Sequence, residues 1–359
     1  MITNILNATN LAPLAYRLSR WHLHSLVGGN PFPVSASLYI NTNCNFTCSF
    51  CNIWRVDPPY IMPEDTARDL VEQLGKLELI YFSISGGEPL MVPYVLDLLG
   101  HAKRSGILYT HIVSNAFLMD KKRAQKLSDA NVSEISFSID GPEHIHNEVR
   151  GAKRSYKKIL AAIQNVKTYA PNTRIVLNTI LKWSEPEHAL HAVQVAKDTG
   201  VSIKVQPENN HPVFEGQKCD KASESNRGLD TDGLNNLFAA VDFMINEPCV
   251  VNSNAFLKGI KKFLVDPANL PLVNNPCILG RHHVEFFSGR MFPCLEGVNW
   301  KNGFDWKDTT LKNLFLSTEY QQSLQNLEKC NGCKKNYYVC YYEPRLNFPL
   351  GNLLRTKIL

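Results

Sequence analysis

The feature that most constrains the fold is a sixfold alternation that runs from Ser35 to about residue 210. Short runs rich in Ile, Val and Phe lie at 37–41, 79–85, 109–114, 134–139, 174–180 and 201–206. Each is followed by turn residues, and the first five also by an amphipathic stretch of helical period. Parallel strands need long crossover connections, and helices of this length supply them while covering the apolar strand faces. The pattern predicts an α/β fold, a partial (β/α)6 TIM-like barrel in preference to a flat doubly wound sheet. In either architecture, ligand sites gather at the C-terminal ends of the strands.

Local signals agree with this period. Pro63-Glu64-Asp65 opens a helix expected to bury Leu70, Leu74 and Leu77, and Ser184-Glu185-Pro186-Glu187 opens one that ends at Gly200. Asp120 and Ser155 read as N-caps. Beyond residue 210 the rhythm stops: residues 217–233 are polar and turn-rich, one helix follows near Leu234–Ile245, and cysteines then become frequent. The expected divisions are an N-terminal amphipathic segment (1–34), a core (35–210), a linker with a helix (211–276), a cysteine-rich unit (277–345) and a tail (346–359).

At 359 residues, 44% of them hydrophobic, the chain can bury a large core. Its net charge of +5 comes from scattered basic residues, which excludes a nucleic-acid footprint. No secretory signal pattern opens the sequence, so a reducing, cytoplasmic location is expected, where the grouped cysteines among the ten are metal ligands before disulfides and Cys219 and Cys249 are ordinary thiols. No run is long and apolar enough to span a bilayer. Leu11, Leu14, Leu18 and Trp21 share one helical face, which packs on the main domain or, as an alternative, lies on a lipid surface. Phe348, Leu350, Leu353, Leu354 and Leu359, beside Arg345, Arg355 and Lys357, extend that peripheral-membrane alternative to the inner membrane face.

Cys44, Cys48 and Cys51 follow the first strand directly, as CxxxCxxC. A 4Fe-4S cluster offers four corners to thiolates, so three cysteines leave one iron open. Zinc is the alternative, but structural zinc closes with four protein ligands and no fourth Cys or His lies near. The second strand ends in Ser85-Gly86-Gly87-Glu88-Pro89. With Phe50 just before the last cysteine, this pair of motifs resembles the signature of the radical S-adenosylmethionine (SAM) superfamily.

The resemblance implies a 4Fe-4S cluster on the three cysteines, with the methionyl amine and carboxylate of SAM on the open iron. It places the amine against Gly86, Gly87 and Glu88, where absent Cβ atoms would permit close backbone approach and a carboxylate would pair with an ammonium. Relatives hold the ribose and methionine parts with side chains at the next strand ends, here Ser138 and Asp140, with Asn115 behind them. Arg150, in an Arg-Gly pair, would meet the SAM carboxylate, against the ordinary fate of a solvated loop arginine; Asn178 would lie near the adenine. His144 and His146 are expected at the surface, and no residue is singled out as a catalytic acid or base.

Further on, Cys277, Gly289 and Cys294 form a CxnGx4C pattern, and Cys330, Cys333 and Cys340 a CxxCxnC pattern. These resemble the SPASM and twitch extensions, which bind auxiliary 4Fe-4S clusters. The full SPASM pattern has a further cysteine where this chain has Pro344. Five cysteines cannot complete two clusters, so one auxiliary cluster is expected on Cys277, Cys294, Cys330 and Cys333, with Cys340 as a substitute ligand; a zinc ribbon is the alternative.

The resemblance implies reductive cleavage of SAM to a 5′-deoxyadenosyl radical that takes hydrogen from substrate, with a flavodoxin- or ferredoxin-type electron donor. An auxiliary cluster suggests net oxidation. The segment before Ser35 is short for a leader-binding module, so a small molecule, such as a sugar, an aminoglycoside-like compound or a lipid-linked compound, is the expected substrate. A ribosomal peptide maturase, a redox-neutral epimerase and a non-catalytic iron-sulfur carrier are the alternatives.

Overall fold

The computed structural model describes residues 11–27, 29, 31–209, 228–266, 277–295, 303–330 and 337–347. Six strands, β1 (Ser35–Tyr39), β2 (Tyr81–Ser85), β3 (Tyr109–Ser114), β4 (Glu134–Ser138), β5 (Arg174–Leu181) and β6 (Ser202–Pro207), pair in sequence order and all in parallel. This is the expected partial barrel, with strand limits within about two residues of the sequence reading.

A second contribution to the sheet comes from outside the alternating region. β7 (His283–Phe287) pairs in parallel with β1, from Ser35 opposite His283 to Tyr39 opposite Phe287, and β8 (Arg290–Phe292) returns antiparallel to it. The hairpin turns on Ser288 and Gly289, at φ of 47° and 77°. Positive φ at both central residues of a two-residue loop is what matches the strand twist, so Gly289 has a turn role independent of any metal. The cysteine-rich region thus shares one sheet with the core.

Covering helices are α1 (Leu11–Leu26), α2 (Glu64–Lys76), α3 (Val95–Arg104), α4 (Lys121–Asp129), α5 (Glu143–Val149), α6 (Ser155–Tyr169), α7 (Pro186–Thr199), α8 (Thr231–Ile245), α9 (Asn254–Val265), α10 (Leu311–Leu316), α11 (Thr318–Glu328) and α12 (Val339–Asn347). Asp120 caps α4 by accepting from the Arg123 N–H at 2.8 Å, and Gly200 ends α7 at φ of 60°. Ser155 does not cap α6: it is the first helical residue, its hydroxyl donates to Asn147 Oδ1 at 2.8 Å, and that same oxygen accepts the Tyr156 N–H of the first turn at 3.1 Å.

Strand residues alternate in chemistry as well as direction. Ala36, Leu38, Phe82, Ile84, Ile112, Ile135 and Phe137 are buried against the helices. Their neighbours Ser35, Ser37, Ser83, His111, Glu134, Arg174, Asn178 and Lys204 line the lumen. The lumen is a cavity of about 230 Å³, not the layered aliphatic core of a closed eight-stranded barrel. Helix α1 sits at the end where the strands begin: Leu14 and Trp21 pack with Val34, Ile80, Tyr81 and Tyr109, while Arg17 donates to the carbonyls of Leu79 and Gly106. On the open side, the Val339 N–H of α12 donates to Gln206 of β6 at 2.9 Å, and Tyr341 donates to Glu285 of β7 at 3.1 Å. The helix therefore bridges the two outer parallel strands.

Candidate active site at the strand ends

Cys44, Cys48 and Cys51 lie on the loop that leaves β1 at its C-terminal end. Two neighbouring strand ends hold this loop. Asn115, after β3, donates to Asn45 Oδ1 at 2.7 Å, and the Phe46 and Phe117 rings meet edge to face. From the far side, the Ser49 N–H donates to the Val149 carbonyl at the end of α5, and Arg150 Nη1 approaches Cys48 Sγ at 3.8 Å. Gly151, at φ of 60°, leaves no space for a Cβ beside Thr47.

Burial pushes the Cys44 thiol up to about 12 and the Cys51 thiol up to about 11. Thiolates at such sites need a cationic partner, which cluster iron supplies. Three thiols on one loop are a donor set that fits a cluster with one open corner, and the Arg150 guanidinium at Cys48 and the Phe46 N–H on Cys44 at 3.4 Å donate to two of the sulfurs. Among the described residues, no three His, Cys, Asp or Glu side chains gather tightly enough to hold a single metal ion.

The Gly86-Gly87 turn rests against the start of the same loop. A Cβ on Gly87 would lie 2.0 Å from the Asn43 carbonyl oxygen, and one on Gly86 would lie 2.5 Å from that of Asn41, with φ already at 145°. The two glycines let this turn dock on the cluster loop through Gly87 N–H to Asn41 and Glu88 N–H to Asn43, both 2.8 Å. Protein backbone therefore accounts for both glycines before any ligand is invoked.

Glu88 is fully buried and its side chain turns inward. One carboxylate oxygen accepts from the Leu90 N–H at 3.0 Å and the Ser114 hydroxyl at 2.8 Å; the other accepts from the Asn115 N–H at 2.7 Å. Burial pushes its pKa up to about 7 against these donors. These bonds latch the ends of β2 and β3 together and position Asn115 against the cluster loop.

Asp140 and Arg150, both expected to contact SAM, are bonded to each other. Arg150 Nε and Nη2 reach Asp140 Oδ2 at 2.8 and 2.6 Å, Asp140 Oδ1 accepts from the Ile180 N–H, and the guanidinium lies 5.0 Å from the Phe50 ring centroid. Arg150 is buried, not a solvated loop residue. His146 is also buried, contrary to the surface expectation; its Nδ1 accepts from the Asp140 N–H, and burial lowers its pKa to about 4, so the ring is neutral. His144 is exposed as expected. Ser138 ends β4 opposite Asn178, and Asn178 lines the lumen.

Phe50, Asp140, Ile180, Lys182, His188 and Asn209 border a cavity of about 500 Å³ above the barrel. It shares Tyr39, Glu285 and Cys340 with the lumen, so the two spaces adjoin. Of the second cysteine group, Cys277 and Cys294 are buried in the core, Cys330 is exposed, and Cys340 faces both cavities; Cys333 lies outside the described residues. The C-terminal residues 348–359 of the peripheral-membrane alternative also lie outside them.

The lumen network was missed in the sequence reading. His111 bonds Tyr81 and Ser83 through Nδ1 and Ser136 through Nε2, and burial lowers its pKa to about 4. Against the effect of burial, His111, Lys204 and Arg174 hold the Glu134 carboxyl below its ordinary value. The available signal was the serine, histidine and charge at alternate strand positions, hidden by the apolar residues between them.

The sequence profile of the radical SAM superfamily matches residues 38–193. A PqqA peptide cyclase from Bradyrhizobium diazoefficiens is 25% identical over 135 residues, 36% of this chain and 34% of that protein. An AdoMet-dependent heme synthase from Methanosarcina barkeri is 24% identical over 164 residues, 45% of this chain and 46% of that protein. The chain thus spans less than half the length of these two curated relatives. Streptococcus suis SuiB, solved bound to its precursor peptide SuiA, superposes with a TM-score of 0.64 at 18% identity over 90% of this chain and 74% of that one. The CxxxCxxC loop, the Gly-Gly-Glu-Pro turn and strands β2 to β5 all fall within the matched stretch, so residues 38–193 carry a domain of the radical SAM superfamily.

Proposed function

We propose that the protein modifies a peptide, using a radical drawn from SAM, with SAM in the larger cavity and one substrate side chain in the lumen. The observation that carries this reading is the pair of adjoining cavities. About 500 Å³ beside Phe50 and Asp140 lies in the range of small-molecule sites, whereas about 230 Å³ in the lumen lies below it and fits a side chain better than a whole metabolite. Relatives named as PqqA peptide cyclases, and a fold neighbour solved with a precursor peptide, support a peptide over the small molecule expected from sequence. The heme synthase match favours the small-molecule reading as the second one.

When bound, the cluster supplies the electron that breaks a carbon–sulfur bond of SAM and yields a 5′-deoxyadenosyl radical able to take hydrogen from substrate. Cys44, Cys48 and Cys51 would hold that cluster. Arg150 and Asp140 fix Phe50 and Cys48, Asn115 fixes Asn45, and α1 and α12 cover the lumen, so that orientation and exclusion of water are the tasks of the protein. An auxiliary 4Fe-4S cluster on Cys277, Cys294, Cys330 and Cys333, with Cys340 as substitute, would provide an electron outlet and make the reaction a net oxidation. A flavodoxin- or ferredoxin-type protein would be the donor. Among the described residues no helix is long and apolar enough to cross a membrane.

Anaerobic reconstitution followed by dithionite and SAM tests the class. Formation of 5′-deoxyadenosine, with about eight irons per chain, is the expected result. An iron-loaded protein that leaves SAM intact sinks the enzymatic reading and leaves the iron-sulfur carrier.

A further inference from the structure

Lys204 lines the lumen from the middle of β6, in register with Asn178 of β5. Its ammonium makes no hydrogen bond or ion pair among the described residues. The other charges facing the lumen are engaged: Arg174 pairs with Glu134 at 2.9 Å, Tyr109 donates to Glu134, Tyr341 to Glu285, and the Ser253 N–H to Glu343. Burial keeps His111 and His283 neutral. Beside the lysine, Asn178 Oδ1 is buried without a donor. The β5–β6 wall therefore offers a cation that acts on Glu134 only through space, with no hydrogen-bond acceptor of its own, and an amide oxygen that lacks an N–H. Lys204 is half-buried, and the buried Asn178 Oδ1 left without a donor is costly; a ligand carrying both an anion and an N–H complements the pair.

We propose that Lys204 and Asn178 form a subsite for an acidic substrate side chain, the carboxylate meeting the ammonium and a neighbouring substrate N–H meeting Asn178 Oδ1. The assignment rests on the peptide reading above and names the substrate class, an aspartate- or glutamate-bearing peptide. Glu285 of β7 and Glu343 of α12 also line the lumen and disfavour a second anion in it.

N-Acetylglutamate amide and N-acetylglutamine amide are titrated calorimetrically into the reconstituted, SAM-loaded protein. The acidic probe is expected to bind about tenfold tighter than the neutral one. Lys204→Met should abolish that preference, and Lys204→Arg should restore part of it. Equal affinities in the wild type overturn the proposal, as does absence of saturable binding of the acidic probe in the millimolar range or a preference that survives in Lys204→Met. The wild-type comparison needs no variant, so a misfolded Lys204→Met leaves the test intact. Deoxyadenosine formation by the wild type, measured separately, tells failure of the radical SAM reading from failure of this one.

Discussion

Arg150 donates both Nε and Nη2 to a single oxygen of Asp140 while its third nitrogen faces Cys48 Sγ. One buried ion pair thus ties the end of β4 to the cluster loop. Removing a single partner of a buried pair leaves an uncompensated charge and costs about 3–5 kcal/mol, more than the pair itself is worth. Arg150→Met and Asp140→Asn should each lower the denaturation midpoint strongly, and the double variant by less than the sum. Additive losses in the unfolding free energies would show that the two residues act apart.

Glu88 sets a pH dependence. Its carboxyl, raised by burial from 4.5 to about 7, holds a proton in the folded chain that the unfolded chain releases at lower pH. The folded state therefore binds more protons between these values, and stability falls as pH rises from about 4.5 to about 7, by a few kcal/mol at most. Urea unfolding of cluster-free protein should show this fall in the wild type and a flatter profile in Glu88→Gln; parallel profiles would remove Glu88 as the cause.

Gly87 has the least space of the motif. Ala at this position must displace the Asn43 carbonyl, and overpacking of this kind costs about 1–3 kcal/mol. The displaced backbone leads directly into Cys44, so Gly87→Ala should bind less iron per chain on reconstitution. Full iron loading with normal stability would mean that the two loops are less tightly docked than described.

The two cysteine groups should separate by metal content. Cys277→Ala is expected to lose about four irons and keep the cluster that serves SAM, whereas Cys48→Ala should abolish deoxyadenosine formation. Retention of about eight irons in Cys277→Ala, or zinc in place of iron in the wild type, would count against the auxiliary cluster.

The six parallel strands, their helices and the cluster loop were legible in the sequence because each is specified locally: period-two strands between turn residues, Pro and Asp at helix starts, Gly200 at a helix end, and three thiols on one loop. Strand β7 was not, because its pairing with β1 joins residues about 250 positions apart, and the run His283-Val-Glu-Phe-Phe carries no mark of its partner. Among the site residues, type and neighbourhood were readable but not direction. Glu88, Asp140 and Arg150 read as ligands for SAM, and folding pairs them with Ser114, Asn115 and each other. Which protein groups burial brings within hydrogen-bond distance of each residue is decided only by the tertiary structure. It also decides that Lys204 and Asn178 stand in register at the lumen, where no described residue hydrogen-bonds the Lys204 ammonium or the Asn178 Oδ1.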